Sequence, residues 1–418
     1  MAADEKTEPL SQRAPSGLDT PRSVAASPRL GDANPKGDKW ERRPLLDPYA
    51  KLMCYSLSEP HCTIHEGLEA RHVVHYHVQK LTTMRVFFAF SGTVLTDIIL
   101  WVETLAGAAV FWTLFALVTY FHWDGLEKFV GNERNIRAFI SMFTTLIGLL
   151  LSFYTSLNIQ RWWSMRMLGV GGIWQASSKL TLQISQGVTR DPEVLDSIWR
   201  YASASLVFLF MMRRGTQDHI DNLTKRGLLT EHECQQMGKI QPHLRAEAIW
   251  SWLGNTVSQL NAQGLTNGPP HYGSLMNTVD EGRHGANVVN SYLETPIPMA
   301  YVHLLGLMVK LHNVMVAILM GILSAKHFSN YDELGAFRTM FRAFFMPFLY
   351  NAILLINDDI SDPFSGDISD FPLQKLVHGV RDDALSIVAS GSAENLPLWM
   401  VQGKKFKKWV PAEAPTTA

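Results

Sequence analysis

The sequence predicts an all-α membrane protein with four transmembrane helices and a large helical cytosolic domain. Three observations predict this fold class. Apolar stretches long enough to cross a bilayer occur in two pairs along the chain. Between the pairs lies a long segment that mixes polar and apolar side chains at helical spacing. Charged residues form 18% of the chain, below the roughly 25% of soluble domains.

The bulk composition limits the classes of function. Residues 1–48 are rich in proline, serine and charge, and we expect this N-terminal segment to be disordered because it has little apolar surface to bury. Its polar, acidic start is unlike a signal peptide. The net charge of −1 over 418 residues gives no field that would attract nucleic acid. Three cysteines are too few for a disulfide framework.

The first predicted span is about residues 98–121, and Glu103 is its single charge. A helix of this length covers the roughly 30 Å hydrocarbon core of a bilayer. Trp101 and Tyr120 lie near its two ends, where interfacial aromatic residues are usual.

The second predicted span, about 138–157, has no charged residue. In a helix, Thr145, Leu149 and Phe153 recur every four residues and therefore share one face. Such a stripe can face lipid or pack against another helix, and composition alone favours these two interpretations. It can also line a narrow pore, where apolar side chains exclude water and hydroxyl groups replace part of an ion's hydration.

The segment after the second span is predicted to leave the membrane. Three residues at the end of the span suit the interface as an anchor, with a cation against indole rings: Arg161, Trp162 and Trp163. Residues from about 164 to 290 are then predicted to form cytosolic helices. Within them, Ile198–Met212 is apolar enough to resemble a span, but Arg200 inside it favours a buried helix.

The third predicted span is about 296–325 and contains Lys310 near its middle. A lysine at that depth is costly unless it faces protein or water. We favour an ion pair with Glu103, although the lysine could instead attract anions to an outer vestibule. The fourth span, about 343–356, is short and contains Pro347, which we expect to kink it.

The last part of the chain is polar. Further cytosolic helices are predicted at about 358–395, followed by a basic tail at 396–418 that either docks on anionic lipid or stays solvated. The distribution of lysine and arginine favours both chain ends in the cytosol.

His72, His75 and His77 are closely spaced, but we interpret them as part of a solvated or interfacial stretch. The motifs of nucleotide-binding, zinc-protease and redox enzymes are absent, so an enzyme is not expected.

Five motifs in order carry a family resemblance. They are Ser152–Leu157 with Arg161, Trp162 and Trp163; Trp250, Trp252 and Asn255; Ser274–Asn277 with Arg283; Ile297–Tyr301; and Asp362–Asp367 with Asp370 and Phe371. Each is weak alone, but together they resemble the bestrophins, which are pentameric anion channels. The resemblance covers about residues 80–395, within a predicted channel core at 75–395.

The resemblance implies a homopentamer around one axial pore. Thr145, Leu149 and Phe153 would then form three rings at the pore neck. The family usually has a bulky apolar residue at the first position, so Thr145 predicts a neck that conducts more readily. Leu146 also stands where the family has proline, which changes the expected helix geometry.

Two further sites are implied by the same resemblance. A second constriction would lie in the cytosolic domain at Pro270 and His271, and a histidine facing the pore would make conduction sensitive to pH. The acidic turn maps onto a calcium clasp, with two side-chain ligands and two carbonyl ligands: Asp367 and Asp370, then Asp359 and Asp362. Ile368 and Ser369 interrupt the acidic run, so an ordinary solvated turn remains an alternative.

The implied function is an anion-selective channel subunit that passes chloride, bicarbonate or nitrate passively, with calcium as a candidate regulator. A non-conducting membrane scaffold or regulatory subunit is the alternative. A coupled transporter is disfavoured because inverted repeats are not visible. We expect an integral membrane protein, at the plasma membrane by default. Relatives in photosynthetic organisms lie in plastid membranes, so an organelle membrane stays open.

Overall fold

The computed structural model describes residues 63–66, 72–75, 93–121, 133–217, 219–365 and 370–392. For residues 63–66, 72–75 and 133–137 only the backbone is described. Several predictions lie outside the described residues: the disordered segment 1–48, the tail 396–418, His77, and Asp367 of the acidic turn.

The described residues form eleven α-helices and one short β-hairpin. The helices are α1 (Ile98–Phe121), α2 (Glu133–Ser164), α3 (Gly171–Gly187), α4 (Pro192–Arg213), α5 (Asp221–Lys225), α6 (Glu231–Gly238), α7 (Arg245–Ala262), α8 (Pro269–Glu294), α9 (Met299–Ser329), α10 (Glu333–Ser361) and α11 (Leu373–Ser390). Short 3₁₀ turns lie at Val94–Thr96 and Pro242–Leu244. The hairpin pairs β1 (Thr63–Glu66) with antiparallel β2 (His72–His75), which is a small departure from the all-helical prediction.

Four apolar helices pack together as one bundle: α1, the first part of α2, α9 and α10. The first predicted span matches α1 at both ends. The fourth predicted span lies within α10, which runs from Glu333 to Ser361 and continues through Pro347. Arg338 and Arg342 lie in the same helix, before the predicted span.

Within the described residues, five helical stretches are long and apolar enough to cross a membrane, and the fifth is α4. However, 83% of the apolar window of α4 is buried inside the protein, against 17–50% in the other four. It packs against α3, α7 and α11 as the centre of a second helical domain. The burial therefore agrees with the interpretation of Ile198–Met212 as a core helix.

The charge inside α4 is neutralised by a buried pair. Arg200 Nη2 lies 2.8 Å from Glu233 Oε2, and its Nε donates to the carbonyl of Leu228 at 3.1 Å. Burial alone would raise the pKa of Glu233. Hydrogen bonds from Thr230 and Tyr201, together with Arg200, outweigh that effect and hold this pKa below its ordinary value. Arg200 is thus compatible with a helix that is almost entirely enclosed.

The second membrane helix continues directly into the cytosolic domain. After Ser164, a π-helical turn at Met165–Val170 joins α2 to α3 without a loop. The turn packs closely on α8, because a Cβ built on Gly285 would lie 2.8 Å from the carbonyl oxygen of Gly169 and 2.9 Å from the backbone nitrogen of Ile173. Both neighbours are backbone atoms, so this contact admits only glycine.

We predict that Gly285→Ala lowers the free energy of unfolding by about 2 kcal/mol, because the added methyl group overpacks the α3–α8 contact. Thermal unfolding in detergent, followed by tryptophan fluorescence, measures the change. Gly273→Ala on the same helix is the matched control, because no atom lies within 4 Å of its added Cβ. Equal melting temperatures for the two variants would contradict the close contact.

Candidate ion pathway along the second membrane helix

The two faces of α2 have opposite environments. One face packs inside the bundle, where Ile147 and Leu151 are 0% and 2% exposed. The other face carries the predicted stripe: Leu149 and Phe153 are 54% and 57% exposed, and Thr145 is exposed as well. The described part of the chain therefore leaves this stripe uncovered, whereas the opposite face is held.

The hydroxyl groups on the uncovered face are turned toward the backbone. Thr145 Oγ1 donates to the carbonyl of Ser141 at 3.0 Å, and Ser152 Oγ donates to that of Gly148 at 2.7 Å. A hydroxyl has one hydrogen to donate, so in these rotamers each oxygen presents only lone pairs outward. Thr145 can therefore donate a hydrogen bond to an anion only after its bond to the carbonyl of Ser141 is broken.

The Arg161–Trp163 run joins the membrane helix to the cytosolic domain. Arg161 Nη2 donates to the carbonyls of Tyr292 and Thr295, at 2.5 and 3.0 Å. These groups lie at the end of α8, where helical carbonyls have no intrahelical partner. The cation–π contact was predicted with the adjacent indoles, but Arg161 instead lies over the ring of Tyr292, with the ring centroid 5.4 Å from the guanidinium carbon.

The two indoles of that run differ in their surroundings. The Trp162 ring lies 5.0 Å from that of Phe371 and is partly buried against the cytosolic core. Trp163 is 58% exposed, which is the environment expected for an interfacial anchor. Arg161 and Trp162 thus fasten α2 to the cytosolic domain, and Trp163 faces outward.

The predicted ion pair between Lys310 and Glu103 is confirmed, and it is part of a larger network. Lys310 Nζ donates to Glu103 of α1 and, at 3.2 Å, to Asn351 Oδ1 of α10. Asn313 Nδ2 donates to the same oxygen at 2.9 Å. This network therefore ties α1, α9 and α10 together within the bundle.

Two polar contacts hold the inner face of α2. Near its middle, Thr144 Oγ1 lies 2.8 Å from His312 Nε2 of α9. Further along, Asn158 Nδ2 donates to Asn357 Oδ1 at 2.9 Å, and Asn357 Nδ2 donates to Thr155 Oγ1 at 2.9 Å. The sequence reasoning missed these contacts, although polar residues inside apolar spans are themselves a signal of function or pairing.

The predicted cytosolic constriction lies at the start of α8. Pro270 is exposed, and His271 is half-buried beside the backbone of Gly187 at the end of α3. The backbone N–H of Asn267 donates to His271 Nδ1 at 3.2 Å. A neutral His271 therefore carries its hydrogen on Nε2. Pro270 and His271 lie together at one end of the second helical domain.

The described part of the acidic turn fits a calcium ion only in part. Asp370 is 4% exposed, and Ser365 Oγ donates to its Oδ2 at 3.2 Å. The Asp362 carboxylate is bound by Arg213, whose Nε lies 2.8 Å away, so Asp362 has only its carbonyl to offer. Asp359 is exposed on the last turn of α10. Among the described residues, no three acidic, histidine or cysteine side chains converge as a metal site.

These features define a class: a helical membrane protein in which one span runs unbroken into a second helical domain. A family model described as "Bestrophin, RFP-TM, chloride channel" matches residues 73–390. The chain therefore belongs to the bestrophin family, a family of channels, and it is an integral membrane protein.

Solved structures support the same fold. Two point variants of a bacterial bestrophin homolog from Klebsiella pneumoniae are 20% and 21% identical to this chain, each with a TM-score of 0.57. They cover 68% and 70% of this chain and 99% of their own. A further structure, titled only a membrane protein, is 21% identical with a TM-score of 0.56 over 70% of this chain and 99% of its own. No curated protein matches the chain.

We predict that Glu103→Gln destabilises the bundle by about 2 kcal/mol, because Lys310 then lies within a span without a counter-charge. The melting temperature in detergent measures the loss. Adding Lys310→Met should restore part of it, because the double variant has no uncompensated charge. A double variant that melts below Glu103→Gln would show that the pair does not stabilise the protein.

Proposed function

We propose that the chain is one subunit of a homopentameric anion channel with four membrane spans per subunit and an axial pore lined by α2. The uncovered stripe on α2 is the observation that carries this proposal. A helix with one face held by polar contacts and the other left uncovered is suited to a shared axis. Thr145, Leu149 and Phe153 are the proposed neck residues.

Five copies of the stripe would form three rings of different chemistry. Leu149 makes a ring that excludes water, so it favours anions that lose their hydration at low cost. Phe153 can present the positive edge of its ring to the ion. The Thr145 ring supplies lone pairs, or donors if its hydroxyl turns, and it lowers the barrier to wetting. Chloride, nitrate and bicarbonate are the proposed cargo, moving passively down their gradients.

A second constriction is proposed at Pro270 and His271. Both residues lie where α3 ends and α8 begins, on a surface that five subunits could bring together. His271 would then add a titratable group to the pathway.

Calcium is proposed as a regulator at the acidic turn. The ligands would be the side chains of Asp367 and Asp370 with the carbonyls of Asp359 and Asp362. When bound, the ion would supply positive charge that holds the turn closed.

The contacts of the turn suggest how such closure would reach the pore helix. Phe371 follows Asp370 directly, and its ring packs on Trp162 at the base of α2 and on Phe364 at 5.4 Å. A turn held closed would therefore keep Phe371 against Trp162.

Reconstitution in a planar bilayer tests the channel. With a chloride gradient and an impermeant cation, we expect an ohmic current that reverses at the chloride equilibrium potential. Absence of current in chloride, nitrate and bicarbonate salts would favour the non-conducting scaffold instead. Imaging of the tagged full-length chain separates the proposed plasma membrane location from a plastid or other organelle membrane.

We predict that Thr145→Ile reduces unitary conductance severalfold, because a third apolar ring raises the dewetting barrier of the neck. Single-channel recording in symmetric chloride measures it. Thr113→Ile on α1 is the matched control, because Thr113 is also exposed and its hydroxyl also donates to the carbonyl four residues back. Equal or higher conductance of Thr145→Ile would contradict the proposed role of this ring.

We predict that Asp367→Asn with Asp370→Asn weakens calcium binding at least tenfold, because two charged ligands become neutral amides. Titration calorimetry on the purified protein measures binding, and bilayer recording measures the current response. Asp382→Asn, at an exposed position of α11, is the control. Calcium binding that is unchanged in the double variant would exclude the site.

A further inference from the structure

His312 lies inside the bundle on α9, which packs against the face of α2 opposite the stripe. Its side chain is 1% exposed, and its ring packs edge-on to Tyr350 of α10 with the centroids 5.1 Å apart. The two ring nitrogens face two different partners: Nε2 lies 2.8 Å from Thr144 Oγ1, and Nδ1 lies 3.5 Å from Asn313 Oδ1.

The partner at Nε2 is the hydroxyl group of Thr144. The one hydrogen of Thr144 Oγ1 has two acceptors within reach, the carbonyl of Ile140 at 2.7 Å and His312 Nε2 at 2.8 Å. When the hydroxyl bonds to Ile140, its oxygen can only accept from His312, and Nε2 then carries a hydrogen.

The partner at Nδ1 is an acceptor, and Lys310 is the reason. An ammonium group can only donate, so Lys310 requires the oxygen of the Asn351 amide to face it. Asn313 must then offer its nitrogen to that oxygen, as it does at 2.9 Å. The amide oxygen of Asn313 is thereby left pointing at His312 Nδ1.

A neutral imidazole has one N–H, so both contacts are made when Nδ1 donates to Asn313 Oδ1 and the Thr144 hydroxyl donates to Nε2. An imidazolium donates from both nitrogens, and the Thr144 hydroxyl must then turn to the carbonyl of Ile140. Protonation of His312 therefore reverses the direction of its bond to Thr144.

We propose that His312 is a proton-binding site that positions the neck of the pore through Thr144. Protonation reverses the bond to Thr144 and makes it charge-assisted, and therefore stronger. This draws the back of α2 toward α9 at the residue that precedes Thr145. The imidazolium also adds positive potential beside the pathway, so anion conductance rises as the pH falls.

The other titratable groups around this site are few. In the described part of the chain, those that contact His312 or its network are Tyr350 from α10, Lys310 from α9 and Glu103 from α1. The facing residues of α2 are Thr144 and Phe143, and neither titrates. The charges of Lys310 and Glu103 cancel each other. A protonated His312 would therefore be the one net charge in this network of contacts.

The proposal rests on the proposed channel function, and the pH profile of the bilayer current tests it. As the pH is lowered from about 8, wild-type conductance should rise severalfold when His312 becomes protonated. His312→Gln can still donate to Thr144 but cannot bind a proton. It should keep the wild-type conductance and the nitrate-to-chloride permeability ratio at pH 8 and lose the rise.

Three further variants locate the effect. Thr144→Val removes the acceptor with little change of shape and should change the permeability ratio and reduce the rise. Thr113→Val makes the same substitution on α1 and should change neither. His271→Gln tests the other candidate histidine, and the rise should persist in it. A full acid response in His312→Gln, or a wild-type profile in Thr144→Val, overturns the proposal.

A labelling measurement separates this proposal from the channel function. Leu149→Cys, in a chain whose Cys54, Cys62 and Cys234 are replaced by serine, is modified in detergent at pH 8 with a water-soluble thiol reagent. Its rate should be unchanged by His312→Gln and altered by Thr144→Val. If the labelling rates follow this pattern but the wild-type protein carries no current, the positioning role is supported and the channel function is refuted. Equal rates in all three proteins refute the positioning role whether or not current flows.

Discussion

A small set of polar groups within the membrane bundle pairs across helices, and that constraint sets the rest of the structure. An apolar surrounding makes an unsatisfied polar group costly, so each such contact fixes the rotation of the helices that supply it. The contacts of Thr144 with His312 and of Asn158 with Asn357 both hold the same face of α2. Once that face is held, the opposite face has to point outward with Leu149 and Phe153.

The continuity of α2 with α3 extends this constraint beyond the membrane. A helix without a break is stiff along its axis, and the π-helical turn gives it a local bend rather than a hinge loop. Arg161 and Trp162 fasten the base of α2 to α8 and to Phe371. These contacts therefore join the end of α8 and the residue after the acidic turn to the base of α2.

Local patterns in the sequence predicted the elements whose cause is local. The span over Ile98–Phe121 and the single face shared by Thr145 and Leu149 follow from apolar length and helical period. The charge of Arg200 within an apolar run correctly indicated a core helix. The fourth predicted span lies within a longer helix, because α10 begins before it at Glu333 and ends after it at Ser361.

The polar network could not be predicted from local patterns. Thr144 and His312 are 168 positions apart, and Asn158 and Asn357 are 199 apart. Each of these residues alone is an ordinary polar side chain in an apolar stretch, and its role depends on what the fold places beside it. The pair of Lys310 with Glu103 was the exception, because a charge within a span requires a counter-charge and few candidates exist.

A density map of the assembled protein in lipid nanodiscs tests the central claim most directly. The account predicts five subunits around one axis, with α2 innermost and the side chains of Leu149 and Phe153 directed at the axis. A map in which this face of α2 lies against lipid, or is covered by the neighbouring subunit away from any axis, would contradict it.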